Sequence, residues 1–226
     1  MRRPRLVLAD DHTLIVHGLR YMLEADCDVV GIASDGRALV EIVQKTRPDL
    51  VLLDISMPLL NGIDAAREIR KNWPEIRIVF LTMHADRDYV IEAFRAGASG
   101  YLLKSSAEEE LSSAIRKVLA GKVYVTSALA PELRNLHLEQ PHLRGSAESS
   151  LSRREREVLQ LVAEGRVAKE IAGILGLSVK TIEYHKYRMM NRLGLHSTAE
   201  LVTYAVRKSL LGLAPEQSIP GTSRQE

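Results

Sequence analysis

The sequence predicts two domains, an α/β domain with a doubly wound parallel sheet and, after it, a smaller all-helical domain. Short apolar runs alternate with helix-period segments through residues 1–121. The periodicity fades over residues 122–150, and a purely helical pattern fills residues 151–211. The chain has 226 residues, 46% of them hydrophobic, which is enough for two buried cores.

Five strands, each followed by a helix, are predicted in the first domain. A strand that returns to the same sheet through a helix runs parallel to its predecessor, and the flavodoxin-like order 2-1-3-4-5 is the usual solution for five strands. That order opens a crevice at the carboxyl ends of strands 1 and 3. The strands are expected at residues 5–9, 28–33, 49–53, 77–81 and 101–103.

Three carboxylates are expected in this crevice. Asp10 and Asp11 follow the first strand. Asp54 follows the buried third strand, and the turn-forming residues Pro58 and Gly62 lie four and eight residues further on. Carboxylates held together repel one another, and a Mg²⁺ ion with oxygen ligands would offset that repulsion. Taken alone, Asp10 and Asp11 are equally compatible with capping the helix that begins near residue 13.

The chemistry that suits this crevice is phosphoryl transfer. Attack by the Asp54 carboxylate on a phosphoryl group would form an acyl phosphate. Thr82 follows strand 4 and Lys104 follows strand 5, so a hydroxyl and a cation are available for the charge on the transferred group. Thr82 alone is more typical of a helix cap and Lys104 alone of a solvated surface. Their combination with Asp54 indicates a catalytic group.

These segments resemble the receiver domain of bacterial two-component response regulators, through LVLADDH, LVLLDISMP, LTMHAD and GYLLKS. The resemblance implies that Asp54 accepts phosphate from a histidine kinase. It also implies a switch in which the Thr82 hydroxyl turns toward the phosphoryl group and the Tyr101 ring rotates inward. The implied Mg²⁺ ligands are Asp10, Asp11, Asp54 and the backbone carbonyl of Ser56.

Two other classes of α/β protein would need residues that this chain lacks. A haloacid-dehalogenase-type phosphohydrolase needs a second aspartate two residues after the nucleophile, where this chain has Ser56. A dinucleotide-binding domain needs a G-x-G-x-x-G segment after strand 1, and the sequence has none there. We expect the domain to catalyse only its own phosphorylation and dephosphorylation. His84, two residues beyond Thr82, is close enough in sequence to influence water access to the acyl phosphate.

The second domain has the pattern of a helix-turn-helix. Helices are predicted at residues 152–164, 167–175 and 179–193, with a tight turn at residues 176–178 and a fourth helix from residue 197 or 198. Ser152 and Glu155 have the spacing of a capping box. Residues 151–211 contain 11 Lys/Arg and 6 Asp/Glu, whereas residues 1–121 contain 16 and 18. Such an asymmetry favours nucleic-acid binding by the second domain.

The third helix of this domain has one apolar and one polar face. Ile182, Met189 and Leu193 should pack inward, which leaves the opposite face for a major groove and its edges for phosphates. A generic helical bundle would also have a polar outer face, but the tight turn and the positive charge favour DNA. The candidate DNA-contacting residues are Lys169, Ser178, Lys180, Thr181, Glu183, Tyr184, Lys186, Tyr187, Arg188 and Arg192.

This domain resembles the LuxR-type helix-turn-helix, through LSRREREVLQLVAEG, KEIAGILGLSVKTIEYH and RLGL. With the receiver, it places nearly the whole chain in the NarL/FixJ family of response regulators. The resemblance implies that residues 179–193 are the recognition helix and residues 198–208 a dimerisation helix. Two positions depart from the family pattern: Glu183 replaces a frequent lysine, and Val167-Ala168 replaces a common Ser-Asn.

The expected function is transcriptional control by a response regulator that binds double-stranded promoter DNA as a homodimer after phosphorylation. The alternative is a receiver that serves only as an interaction module, with DNA binding independent of phosphorylation. The single cysteine and the lack of a long apolar run predict a cytoplasmic protein without a membrane partner. Residues 122–150 are predicted to be a linker with a short helix at 126–138, and residues 212–226 a disordered tail.

Overall fold

The computed structural model describes residues 2–130 and 151–207. Its first domain is a six-stranded parallel sheet in the order β2-β1-β3-β4-β5-β6, so the predicted order of the first five strands is confirmed. The predicted tail and most of the predicted linker lie outside the described residues. The strands are β1 (Arg5–Ala9), β2 (Asp28–Ala33), β3 (Leu50–Leu53), β4 (Arg77–Thr82), β5 (Gly100–Leu103) and β6 (Tyr124–Val125).

The sixth strand is a correction to the sequence prediction. Its two residues pair in parallel with β5, Tyr124 opposite Gly100 and Val125 opposite Tyr101. A strand this short has no periodicity to detect, and its place at the sheet edge comes from tertiary contacts. In the described part of the predicted 126–138 helix, the chain forms a 3-10 helix at Ser127–Leu129.

Helices cover both faces of the sheet. The strands alternate side chains between the faces, so that Val51 and Leu53 enter one core while Leu50 and Leu52 enter the other. Helices α2, α3 and α4 pack on the first face, and α1 and α5 on the second. Their bounds are α1 (Thr13–Leu23), α2 (Gly36–Thr46), α3 (Gly62–Asn72), α4 (Arg87–Arg95) and α5 (Ala107–Leu119).

The loop between β3 and α3 is folded tightly against the end of β3. A Cβ atom on Gly62 would lie 2.0 Å from the carbonyl oxygen of Asp54, so only glycine permits this approach. Asn61 caps α3 by accepting a hydrogen bond from the backbone N–H of Asp64. Leu59 has a φ of 62°, a left-handed conformation that is uncommon for a residue other than glycine.

The second domain has four helices: α6 (Arg153–Ala163), α7 (Ala168–Leu175), α8 (Val179–Leu193) and α9 (Thr198–Arg207). Both halves of the predicted capping box of α6 are present. Gly176 ends α7 with a φ of 62°, and the Ser178 side chain caps α8. Their shared core includes Val158, Ile171, Ile182, Met189 and Leu201, so the predicted inward face of α8 is confirmed.

Helix α6 also packs against the first domain. Arg156 Nε lies 2.9 Å from Asp64 Oδ1 in α3, and Arg153 Nη2 lies 2.6 Å from Glu68 Oε2. Asp64 and Gln160 are both almost completely buried, at 3% and 1% exposure. Each domain therefore contributes a buried polar side chain to the contact between them.

Within residues 2–130 and 151–207, the structure has no helix whose length and apolar character would allow it to span a membrane.

Candidate functional site

The structure brings together the polar residues that follow β1, β3 and β5, and Thr82 is the last residue of β4. Asp10 and Asp54 are each only 4% exposed, and Thr82 is completely buried. Lys104 Nζ lies 2.8 Å from Oδ2 of Asp10 and 2.8 Å from Oδ2 of Asp54. The second oxygen of Asp54 accepts a hydrogen bond of 2.7 Å from the backbone N–H of Ile55. The predicted convergence at the carboxyl edge of the sheet is therefore present.

The Lys104 ammonium holds its charge in this buried site. Burial opposes that charge, but attraction to Asp54 and hydrogen bonds from Lys104 to Asp10 and Asp54 outweigh it and raise the pKa of Lys104 above its ordinary value. One cation is thus shared between two carboxylates. Two carboxylates and one ammonium together carry a net negative charge, which suits the binding of a metal cation beside them.

A cation would find ligands at the mouth of the crevice. Ligand atoms of Asp10, Asp11, His12 and Asp54 all lie within 4.8 Å of one another, and Asp11 and His12 are exposed. Three of these four donors are carboxylates, the ligand type that Mg²⁺ prefers. The residues present therefore fit the implied ion.

His12 is a site residue that the sequence reasoning missed. Its Nδ1 lies 2.8 Å from Oδ1 of Asp11 and 3.2 Å from Oδ1 of Asp10. Its position directly after Asp10 and Asp11 is the feature of the sequence that could have identified it as a site residue.

His84 bridges the two loops beside Asp54. Its Nε2 lies 2.8 Å from Oγ of Ser56, and its ring stacks on Tyr89 with centroids 4.0 Å apart. Burial lowers the pKa of His84, an effect that the Asp54 charge partly opposes. The imidazole of His84 thus joins the β4–α4 loop to the β3–α3 loop at the position of Ser56.

The Tyr101 ring lies inward in this structure. The residue is completely buried, and its hydroxyl donates a 2.8 Å hydrogen bond to the carbonyl oxygen of His84. Burial raises the pKa of that hydroxyl, so it stays a donor. The backbone N–H of His84 lies 3.4 Å from Thr82 Oγ1. The two residues of the implied switch therefore meet at His84.

The face of α8 that is predicted to contact DNA bases is exposed to solvent. Tyr184 and Tyr187 are 58% and 67% exposed, unusually high for large aromatic side chains. Lys180 and Glu183 are exposed near them, as is Lys169 on α7. At the start of α8, the Ser178 and Thr181 hydroxyls lie 2.8 Å apart. This face has the position and polarity of a major-groove surface.

Several predicted phosphate contacts are already paired inside the protein. Arg188 and Arg192 reach back to Glu155 of α6, with N···O distances of 3.6 and 3.0 Å. Lys186 Nζ lies 3.4 Å from Glu183 Oε2. Glu155 is 1% exposed, and its pairing with the recognition helix could not be inferred from its spacing as a capping residue. The ion pairs of Arg188 and Arg192 with Glu155 orient α8 on α6.

An acidic crevice on a parallel α/β domain, joined to a basic helix-turn-helix, is typical of a DNA-binding regulator. Comparison with known families agrees with this class. Residues 6–116 match the response regulator receiver domain, and residues 149–205 match the luxR family of bacterial regulatory proteins.

Similar proteins cover nearly the whole chain. The oxygen regulatory protein NreC of Staphylococcus epidermidis is 40% identical over 215 residues, 92% of this chain and 99% of its own. A structure of the Salmonella typhimurium RcsB response regulator has a TM-score of 0.61 at 28% identity, covering 92% and 98% of the two chains. A structure of two RcsB dimers bound to two parallel DNAs has a TM-score of 0.55 at 28% identity, covering 91% and 98%.

The chain belongs to the NarL/FixJ family of two-component response regulators, which join a receiver to a LuxR-type DNA-binding domain. It is therefore a transcriptional regulator of a two-component system, and its domains imply a histidine kinase and DNA as partners.

Proposed function

We propose that Asp54 accepts a phosphoryl group from a histidine kinase in the presence of Mg²⁺, and that this modification switches dimerisation and promoter binding. The observation that carries the proposal is the buried Asp54 carboxylate, held 2.8 Å from the Lys104 ammonium at the edge of an acidic crevice. The exposed face of α8 supports the part of the proposal that concerns promoter binding.

The proposed chemistry is a displacement at phosphorus. An oxygen of Asp54 forms a bond to the phosphorus atom while the bond to the donor nitrogen breaks, and the donor imidazole leaves with that electron pair. Lys104, 2.8 Å from Asp54, would neutralise an equatorial oxygen of the transferred group, and the Thr82 hydroxyl would donate to another. Hydrolysis of the acyl phosphate resets the protein, so the domain acts only on itself.

Mg²⁺ would be held by Asp10, Asp11 and Asp54 with the backbone carbonyl of Ser56. When bound, the ion would neutralise oxygens of the entering phosphoryl group. The clustering of the three carboxylates supports this assignment. His12 orients the Asp11 carboxylate at 2.8 Å and would limit its freedom to turn away from the ion.

Recognition of promoter DNA is assigned to α8. A single short helix reads few base pairs, so pairing of two modules is needed for a specific site. The RcsB structure with DNA contains dimers, which supports a dimeric DNA-bound form for this chain. Bases would be read by Tyr184, Tyr187 and Glu183, and phosphates bound by Lys180 and Lys169.

The test exposes the purified full-length protein to a small phosphodonor with and without Mg²⁺. We expect a mass gain of one phosphoryl group that requires Mg²⁺ and Asp54, with a larger oligomer and tighter DNA binding. An equal gain in Asp54→Asn would contradict the phosphoacceptor assignment. Equal DNA affinity with and without the modification would favour the alternative of a receiver that serves only as an interaction module.

A further inference from the structure

Helix α8 contains a single acidic residue, Glu183, in the middle of the face assigned to the major groove. Glu183 lies three residues after Lys180 and four before Tyr187, so the three side chains form one row along the helix. All three are exposed. The phosphates of DNA repel a carboxylate in this position. Two partners would offset that repulsion, a cation of the protein and a hydrogen-bond donor in the groove.

Lys186 supplies the cation from the next turn of the same helix. Its Nζ lies 3.4 Å from Oε2 of Glu183. The Lys186 side chain is 20% exposed and the Glu183 side chain 52% exposed, so the carboxylate is the member of the pair that faces outward. The ammonium neutralises the carboxylate and restricts the directions in which it points. Because the pair has no net charge, phosphates repel it less than they would repel the carboxylate alone.

The other cations of α8 have different surroundings. Arg188 and Arg192 pair with Glu155 of α6, on the side of the helix that faces the protein. Lys180 is exposed and makes no ion pair within residues 2–130 and 151–207. Lys180 is therefore available to a phosphate, whereas the ammonium of Lys186 is engaged by the one carboxylate on the groove face.

A carboxylate distinguishes the four bases by the groups on their major-groove edges. An ionised carboxylate only accepts hydrogen bonds, whereas guanine presents two acceptors and thymine an acceptor and a methyl group. Adenine has an amino donor, but its N7 acceptor lies beside that donor and repels the second carboxylate oxygen. Cytosine presents its N4 amino donor and no acceptor of its own. Of the four bases, cytosine therefore fits Glu183 best.

We propose that Glu183 binds the N4 amino group of a cytosine in each half of the DNA site, and that Lys186 is a positioning residue for Glu183. This inference rests on the proposed recognition of DNA by α8 and names the base that one of its residues recognises. The sequence alone predicts a phosphate contact for Lys186, and the ion pair with Glu183 argues against that role. Tyr184 and Tyr187, both more than half exposed beside Glu183, would shield its hydrogen bond from water.

The test measures base preference by selection from DNA duplexes with a randomised central segment, followed by affinity measurements on the selected site. It uses the full-length protein with a small phosphodonor and Mg²⁺, as the wild type and as the Glu183→Gln, Lys186→Ala and Lys186→Arg variants. Glu41 and Lys45 form an exposed pair on α2, with an N···O distance of 3.9 Å. Glu41→Gln and Lys45→Ala are therefore controls with the same changes of charge outside the DNA-binding domain.

We expect the wild type to prefer cytosine at one position of each half-site by at least about fivefold, the lower end of the range for one base contact. Glu183→Gln should shift that preference to adenine, because a glutamine amide matches both N6 and N7. Lys186→Ala should weaken the cytosine preference about twofold, the range for one helical ion pair, and Lys186→Arg should restore it. The salt slope of Lys186→Ala and the base preferences of both controls should equal those of the wild type.

A wild type that selects no sequence overturns the proposed DNA recognition and this inference with it. A selected site with the same base preferences in Glu183→Gln overturns the inference alone. An intact cytosine preference in Lys186→Ala, with a salt slope reduced by about one unit, makes Lys186 a phosphate contact and overturns its positioning role. If Glu183→Gln does not fold, the wild type decides: it should bind at least about fivefold more weakly to a site whose cytosine lacks the N4 amino group, and equal affinity overturns the inference.

Discussion

The Nζ atom of Lys104 lies 2.8 Å from Oδ2 of Asp54 and equally close to Oδ2 of Asp10. The three side chains come from the ends of three different strands and are almost completely buried. Lys104 thus has two roles in this fold. It offsets the repulsion between two carboxylates, and it marks where an oxygen of a transferred phosphoryl group would lie.

Replacing Lys104 by glutamine should destabilise the protein and increase its dependence on Mg²⁺. Removing one partner of a buried ion pair costs about 3 kcal/mol, and a divalent ion that binds the native carboxylates recovers part of it. Thermal unfolding with and without Mg²⁺ measures both effects. Lys45→Gln, at a side chain 75% exposed, serves as the control. A variant as stable as the wild type without Mg²⁺ would contradict this account.

Tyr101→Phe should lower the free energy of unfolding without disturbing the sheet. The change keeps the buried ring but deletes the hydroxyl that donates to the His84 carbonyl, a loss of about 1 kcal/mol. Urea unfolding measures it, with Tyr21→Phe on the exposed side of α1 as control. An equal effect of the two substitutions would mean that the hydroxyl bond does not hold the inward ring.

The lifetime of a phosphoryl group on Asp54 should depend on the bond between His84 and Ser56. These side chains join the β3–α3 loop to the β4–α4 loop beside Asp54. We expect that loss of either side chain lets water enter between the two loops. We expect His84→Ala and Ser56→Ala each to change the dephosphorylation rate at least about twofold, with effects that are not additive in the double variant. An unchanged rate in His84→Ala removes this role.

Substitutions on α8 should separate base reading from phosphate binding. Tyr187→Ala or Tyr184→Ala is expected to alter base preference by about 1–3 kcal/mol at one position. Lys180→Ala should weaken binding to all sequences alike and reduce the salt slope by about one unit. Affinities for a substituted promoter set at several salt concentrations measure both. If neither tyrosine variant alters any base preference, the groove face is wrongly assigned.

Acid stability should depend on Glu110, which fixes β6 to α5. Burial opposes its charge, but hydrogen bonds from Ser127, Thr126 and Tyr124 outweigh burial and hold the pKa of Glu110 below its ordinary 4.5. A depressed folded-state pKa contributes stability above the unfolded value, and this is lost as pH falls through the folded value. Glu110→Gln should therefore flatten the acid limb of stability against pH.

Unfolding measured across the acid range tests this, with Glu109→Gln at an exposed neighbouring position as control. The same acid limb in Glu110→Gln and the wild type would show that the carboxylate does not anchor β6.

The sequence by itself determined the two domains, the first five strands and the face of α8 that packs inward. These follow from periodicities within about ten residues, and the end of a parallel strand has a defined place in the sheet. Asp54, Thr82 and Lys104 could therefore be assigned to one crevice before any distance was known.

Only the tertiary structure decided how distant side chains pair. Three such contacts join separate elements: Gln160 with the loop between β3 and α3, Glu155 with Arg192, and Glu110 with Tyr124. Such pairs depend on the angle and register at which helices pack, and local periodicity carries no information about either. The same holds for β6, whose two residues become a strand only because β5 and Glu110 are beside them.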